Sequence, residues 1–474
     1  MHISGGGTDS GLKRALGPFH LITLGIGAII GAGIFVLTGH AAAEFAGPGV
    51  VISFAIAGLG CLFAGLCYSE YASMIPVAGS AYTYTYATLG RFLAWIIGWN
   101  LVLEYLATSA TVAVGWSGYF GNFLASLGLT APKVLADAPI AIAAGGHMAL
   151  TGALFNLPAV MLVGVVTIFL ILGVRTSANF NNVMVAIKLA IVLAVIFVGF
   201  GHIQPANHSP LIPANRGTFG QFGWSGIFRA TGVIFFAYIG FDAVSVAAQE
   251  ARNPQRDVPI GILGSLVICT VLYMLMSYVL TGIAPYASLN VGHPVSAALE
   301  ALPDTRWLAP YVNIGAIVGL SSVVLVLLLG QTRIFYAMSR DGLIPPAFAE
   351  IHPRFATPWK GTIVTGIACA VMAGLLPLDI LGELVSIGTL AAFVIVCAGV
   401  MVLRVRAPDA PRPFRTPLVW ITAPLGIAMC LFMMVFLPLD TWARLAAWTV
   451  IGLAIYYLYS VPHARPAPAS LMAD

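Results

Sequence analysis

The sequence predicts an all-α membrane protein with twelve transmembrane helices, and three observations carry that expectation. First, 59% of the 474 residues are hydrophobic and only 8% are charged, whereas about 25% are charged in a soluble globular protein. Second, the apolar residues gather into twelve runs, and a bilayer core of ~30 Å needs ~20 such residues of helix. Third, the cationic side chains are unevenly shared between the two membrane faces. Fifteen fall on the face that carries the N-terminus and five on the other, with Lys188 inside a run. By the positive-inside rule both termini are expected in the cytoplasm, as an even number of crossings requires.

Composition also excludes function classes. A water-exposed surface for this chain cannot be built from 21 basic and 17 acidic side chains, so a cytoplasmic enzyme, a nucleic-acid-binding module and a disordered adaptor are ruled out. The net charge of +4 is too small to argue for a polyanionic partner. Cys61, Cys67, Cys269, Cys369, Cys397 and Cys430 all sit inside apolar runs without metal-ligand spacing and read as small core residues. The nine histidines fall in loops or near run ends, whereas haem or zinc ligands need a defined depth. Neither catalysis nor a metal or other cofactor is expected.

In chain order the runs cover 19–40, 50–69, 92–125, 157–174, 180–201, 227–249, 259–283, 310–332, 361–377, 382–403, 417–437 and 443–460. Lys13, Arg14 and the later Ala41-Ala42-Ala43 would suit a cleaved signal peptide. The first run is too long for one, and Gly25, Gly27, Gly31 and Gly33 break it, so it is read as a retained span. The third run exceeds one upright crossing and must tilt or project into water. Lys188 lies about eight residues into the fifth run, roughly 12 Å of helix, where a lysine facing a polar cavity is able to lose its proton. Glu104 in the third run and Asp242 in the sixth are the other charges expected near the midplane, as functional groups or as hydrogen bonds between helices. Glu70 and Glu383 lie near run ends and are expected at the interface.

Two runs look discontinuous. The first contains Gly25-Ile-Gly-Ala-Ile-Ile-Gly-Ala-Gly-Ile-Phe35 and the sixth contains Phe235-Phe-Ala-Tyr-Ile-Gly-Phe-Asp242. Glycine weakens a helix and permits an unwound turn. These are the first helices of two successive five-helix blocks, and a block with an odd number of crossings forces its copy to be inverted. Matching breaks in two inverted halves point to a substrate site near the midplane. Amides that start the following half-helix attract a carboxylate, and carbonyls that end the preceding one attract an ammonium. The expected organisation is a tail (1–18), a first repeat (19–201), an inverted second repeat (202–403), helices eleven and twelve (404–460) and a second tail (461–474).

On these residues the chain resembles bacterial members of the cationic amino acid transporter family, within the amino acid–polyamine–organocation superfamily. The two glycine-rich motifs match it, as do Pro76-Val-Ala-Gly-Ser-Ala-Tyr82, Asn253-Pro-Gln-Arg-Asp-Val-Pro-Ile-Gly261 and Gln331-Thr-Arg-Ile-Phe-Tyr-Ala-Met-Ser-Arg-Asp-Gly342. The resemblance implies a five-plus-five inverted repeat followed by two extra helices. It implies that a substrate carboxylate meets the amides of Gly31, Ala32 and Gly33. The amino group then meets carbonyls of Ile29, Phe235, Ala237 and Ile239, with Phe235 as a lid. Lys188 aligns with a fifth-helix lysine that replaces a sodium ion in proton-coupled relatives, with Glu104 and Asp242 as candidate proton relays. Ala248-Gln249-Glu250 departs from the family, which more often has two acidic residues there. Animal members have fourteen spans, so no partner subunit is carried over.

The expected function is proton-coupled uptake of small or neutral L-amino acids across the plasma (inner) membrane. An exchanger of cationic amino acids or amines on the same fold is the alternative, because Glu104 could pair with a cationic side chain. The eighth run, Gly319-Leu-Ser-Ser-Val-Val-Leu-Val-Leu-Leu328, is the expected side-chain pocket wall and favours neutral cargo. A channel would need rings of polar groups, and a sensor a soluble signalling segment between the spans.

Overall fold

In lipid every backbone N–H and C=O must be paired within the protein, so an apolar run long enough to cross has to become a helix. The computed structural model describes residues 16–74, 82–83, 85–86, 90–130, 132–142, 148–173, 178–246 and 251–463. The helices are α1 (Pro18–Ile29), α2 (Val50–Met74), α3 (Arg91–Ser126), α4 (Leu157–Ile171), α5 (Ala178–Phe200) and α6 (Gly223–Ile234). They continue with α7 (Pro254–Ile283), α8 (Ala309–Arg340), α9 (Trp359–Leu375), α10 (Leu378–Arg406), α11 (Val419–Val435) and α12 (Leu439–Ile455). Among the described residues eight helical stretches are long and apolar enough to cross a membrane, and α1, α4, α9 and α11 are shorter apolar helices.

The first and sixth runs are each split. After α1 the chain is extended at Ile30, then resumes as a π-helical turn at Gly33–Leu37 and a helical turn at Thr38–Ala41; this continuation is called the outer segment below. After α6 comes a tight turn of helix at Phe235–Tyr238, an extended Ile239, Gly240 at φ 110° and a short helix at Ala243–Val246. A φ of that sign is open to glycine and strained for other residues.

Packing joins the two halves of the chain: α8 lies against α3, α7 against α2 and α1, and α10 against α3. The last helix is tied on by a stack of indoles, Trp95 to Trp99 to Trp448, with the closest pair of rings 4.4 Å apart.

Three features go beyond the sequence reading. The connection between α3 and α4 carries a two-stranded hairpin, β1 (Ile140–Ile142) and β2 (Met148–Leu150), inside an otherwise helical molecule. Glu70, near the end of its run, is fully buried within the protein. Arg404 at the end of α10 grips it through two hydrogen bonds of 2.8 Å, Arg412 lies 3.2 Å away and the Thr416 amide donates at 2.8 Å. A buried carboxylate is tolerable because charge-assisted donors surround it. Glu383 is likewise buried, accepting from Thr441 at 2.8 Å with Arg444 3.5 Å away.

Candidate functional site

The site is built where the two breaks touch. A Cβ on Gly33 would lie 2.3 Å from the Ala237 side chain, and one on Gly240 would lie 2.8 Å from the Ala28 carbonyl oxygen. Glycine at these positions lets the two unwound segments meet backbone to backbone. Gly31 differs from Gly33: a Cβ there would stand 3.6 Å from Val323 on α8, an ordinary contact. The expected pocket wall therefore does border the first break.

Tyr273 on α7 links both breaks. Its hydroxyl lies 2.8 Å from the Ile29 carbonyl oxygen and 2.9 Å from that of Ala237. These are two of the four carbonyls expected at a substrate ammonium, and each oxygen keeps a second lone pair for another donor. Ile29, Ala32, Phe235, Ala237 and Ile239 are buried, and the Phe235 ring meets Phe393 edge-on at 5.8 Å. The arrangement is closed to solvent around the breaks. On α8 the two serines bond their own helix, Ser321 to the Ile317 carbonyl and Ser322 to the Gly319 carbonyl, each at 2.8 Å.

Lys188 is buried on α5, and its Nζ donates to the Gly27 carbonyl at 2.9 Å, within α1 just before the break. Gly319 gives its stem room, since a Cβ there would come 3.0 Å from Lys188 Cγ. Asp242 is buried and accepts from the Tyr105 hydroxyl at 3.1 Å. Glu104, the neighbour of Tyr105 on α3, is buried within electrostatic reach of Asp242, with Thr389 of α10 beside it. The three intramembrane charges thus form two groups, a lysine on the first break and a carboxylate pair by the second.

On one side of the breaks the Tyr82 hydroxyl donates to Asp341 Oδ2 at 2.5 Å; burial and the neighbouring carboxylate hold that phenol above its usual range. On the same side Leu16 bridges to Ala251. On the opposite side His40 lies 3.1 Å from Asp379 and 3.1 Å from Asn290. Ala248-Gln249-Glu250 and all of Pro76–Tyr82 except Tyr82 lie outside the described residues. Sequence reasoning missed Tyr273: it is one hydroxyl in the apolar run 259–283, and no motif announces its partners.

Comparison with known proteins agrees along nearly the whole length. The profile of the amino acid permease family matches residues 16–458. A protein of Bacillus subtilis named branched-chain amino acid permease BcaP is 47% identical over 458 residues, covering 96% of this chain and 95% of its own. Another from the same bacterium, named methylthioribose transporter, is 46% identical over 461 residues, covering 97% and 96%. Human cationic amino acid transporter 4 is 36% identical over 419 residues, which are 85% of this chain and 62% of the human one.

Proposed function

The chain belongs to the amino acid permease family of the amino acid–polyamine–organocation superfamily, and from that membership we propose that it imports neutral L-amino acids together with protons by alternating access. One observation carries the reading: two glycine-rich breaks meet backbone to backbone, and a carbonyl oxygen from each, held by Tyr273 with a lone pair to spare, lies in the same place beside an apolar wall. The substrate carboxylate sits at the amides of Gly31, Ala32 and Gly33. Its ammonium sits at the carbonyls of Ile29, Phe235, Ala237 and Ile239, and Phe235 covers it. Because Ser321 and Ser322 give their hydroxyl protons to their own helix, Val323 and its neighbours offer the side chain mainly apolar contact. The relative named for branched-chain amino acids points the same way.

Helices α1–α5 and α6–α10 are the two inverted repeats, residues 19–201 and 202–403, and α11 and α12 are appended to them at 404–460. The twelve helices lie in the plasma membrane, with residues 1–18 and 461–474 in the cytoplasm. In a site without water the Lys188 ammonium is held by its bond to the Gly27 carbonyl. A movement of α1 that breaks this bond sends the proton towards Glu104 or Asp242.

A second reading, exchange of cationic amino acids, is favoured by Glu104 beside the second break and by the relatives named for cationic substrates. Competition binding separates the two. Neutral branched or small amino acids are expected to outcompete arginine and lysine, and Glu104→Gln is expected to keep that order and bind substantially. Arginine preference that vanishes in Glu104→Gln would install the second reading instead.

A further inference from the structure

α7 begins and α10 ends on the same membrane face, beside a groove where arginines outnumber the carboxylates able to pair with them. We infer that this groove binds one anionic phospholipid, with its phosphate between Arg256 and Arg415 and an acyl chain along α7. Only residence in a membrane is needed for this, so it stands apart from the transport reading.

The groove has a volume of about 530 Å³. Arg256, Pro259, Ile260 and Leu263 of α7 form one wall, and Pro413 and Phe414 of the connection between α10 and α11 form the other. Arg256 stands in the first turn of α7, and Leu263 lies about 10 Å further along the helix. The groove therefore runs from a charged end to an apolar one. Beyond Leu263 the surface of α7 stays apolar, with Val267 and Val271 each half exposed. Leu418 and Trp420, where α11 begins, are also exposed. Tryptophan gathers at the bilayer interface, so the charged end of the groove lies at the membrane surface and the apolar end within the lipid.

The wall opposite α7 is fastened in place. The Phe414 amide donates to the Ser73 hydroxyl at 3.2 Å, and the Thr416 amide donates to Glu70 at 2.8 Å. The Thr416 hydroxyl donates to the Leu66 carbonyl at 3.0 Å. These bonds fix the connection on α2. A pre-formed groove spares a ligand the entropy cost of ordering its site. Lipid bound there braces α7, the helix that carries Tyr273, against the connection that the Glu70 clasp holds.

The charge balance names the occupant. Arg404 and Arg412 both pair with one buried carboxylate, Glu70, and Arg415 adds a third cation within electrostatic reach of Arg412. Asp257 is buried and accepts from the Asn253 amide at 3.1 Å. Asp409 is the acid of the connection itself. Arg256 and Arg415 are exposed, and neither meets a carboxylate among the described residues. An arginine fork takes a phosphate through two parallel hydrogen bonds. The occupant must therefore carry an anionic phosphate and an apolar tail side by side, which is the chemistry of an anionic phospholipid. Basic pockets between helices on the cytoplasmic side bind such head groups, and this is the face proposed to be cytoplasmic.

Lipid titration of the purified, delipidated protein in neutral detergent micelles tests this without substrate or a gradient, so its failure leaves the transport reading standing and the converse also holds. Thermal unfolding is followed with dioleoyl phosphatidylglycerol, with dioleoyl phosphatidylcholine and with inorganic phosphate. A ligand that binds the folded state raises the midpoint. Phosphatidylglycerol is expected to act at a concentration roughly tenfold or more below that of phosphatidylcholine. Inorganic phosphate is expected to leave the midpoint unchanged. In Arg256→Gln and in Arg415→Gln the phosphatidylglycerol needed is expected to rise about fivefold each, the weight of one arginine near the surface. Arg406→Gln removes a neighbouring exposed arginine that does not line the groove, and is expected to keep the native value. Four results would each overturn the inference: an equal response to the two lipids, a matching response to inorganic phosphate, native affinity in both groove variants, or a loss in Arg406→Gln as large as theirs.

Discussion

Gly31 and Gly33 stand two residues apart in the first break and do different work. Gly33 is where the backbones meet: a methyl there must displace Ala237, whose Cα and Cβ lie 2.4 and 2.3 Å from the added atom. Overpacking of that kind costs about 1–3 kcal/mol, so Gly33→Ala is expected to lower the melting temperature before any effect on binding is considered. At Gly31 a methyl meets Val323 at 3.6 Å and the fold has room for it. Gly31→Ala is therefore expected to change stability by no more than about 0.5 kcal/mol. Its amino acid affinity should nevertheless fall roughly tenfold or more if the carboxylate binds as proposed, because the methyl would crowd its approach to the amides and leave a charged hydrogen bond unmade. Thermal unfolding with and without substrate reads both effects in one experiment. Normal affinity in Gly31→Ala would move the carboxylate elsewhere.

At the scale of elements, α7 is the strut that holds the two breaks together. It packs on α1 and α2, and Tyr273 reaches from it to a carbonyl of each break. One hydroxyl proton shared between two oxygens orients both towards the same point, which would pre-form the proposed ammonium site. Tyr273→Phe keeps the ring contacts with Phe54 and Tyr238, at 5.4 Å each, and removes only the bridge. A neutral hydrogen bond is worth about 0.5–1.5 kcal/mol, so substrate affinity is expected to fall by up to about tenfold with the fold retained. An unchanged dissociation constant would make the bridge a packing detail. The element at the other extreme is the clasp on Glu70, where α2, the end of α10 and the segment to Thr416 are fastened by Arg404 and Arg412. It anchors helices that frame the site without touching it.

Over the whole molecule, what lipid demands was legible and what side chains do across the chain was not. The run 92–125 became Arg91–Ser126 and 361–377 became Trp359–Leu375, because burial in a bilayer writes a continuous apolar signal. The run 310–332 fell short: α8 continues to Arg340, where a helix that has left the apolar layer no longer carries that signal. Both breaks were legible from glycine, and Lys188 from its depth. Tyr273 and Ile29 are 244 residues apart, and Glu70 and Arg404 are 334 apart. Such contacts depend on how helices pack, and nothing in local pattern pairs them. The residues of both breaks are buried, with the Tyr82–Asp341 contact to one side of them and the His40–Asp379 contact to the other. In the proposed function a proton drives import, and the residue proposed to admit it is Lys188. The most direct measurement is uptake of a neutral amino acid such as leucine into sodium-free liposomes that contain no amino acid, under an imposed pH gradient, by the native protein and by Lys188→Ala. The native protein is expected to concentrate the amino acid and the variant to bind it without concentrating it. Accumulation by Lys188→Ala equal to the native level, or native uptake that occurs only after preloading with amino acid, would contradict proton coupling through this lysine.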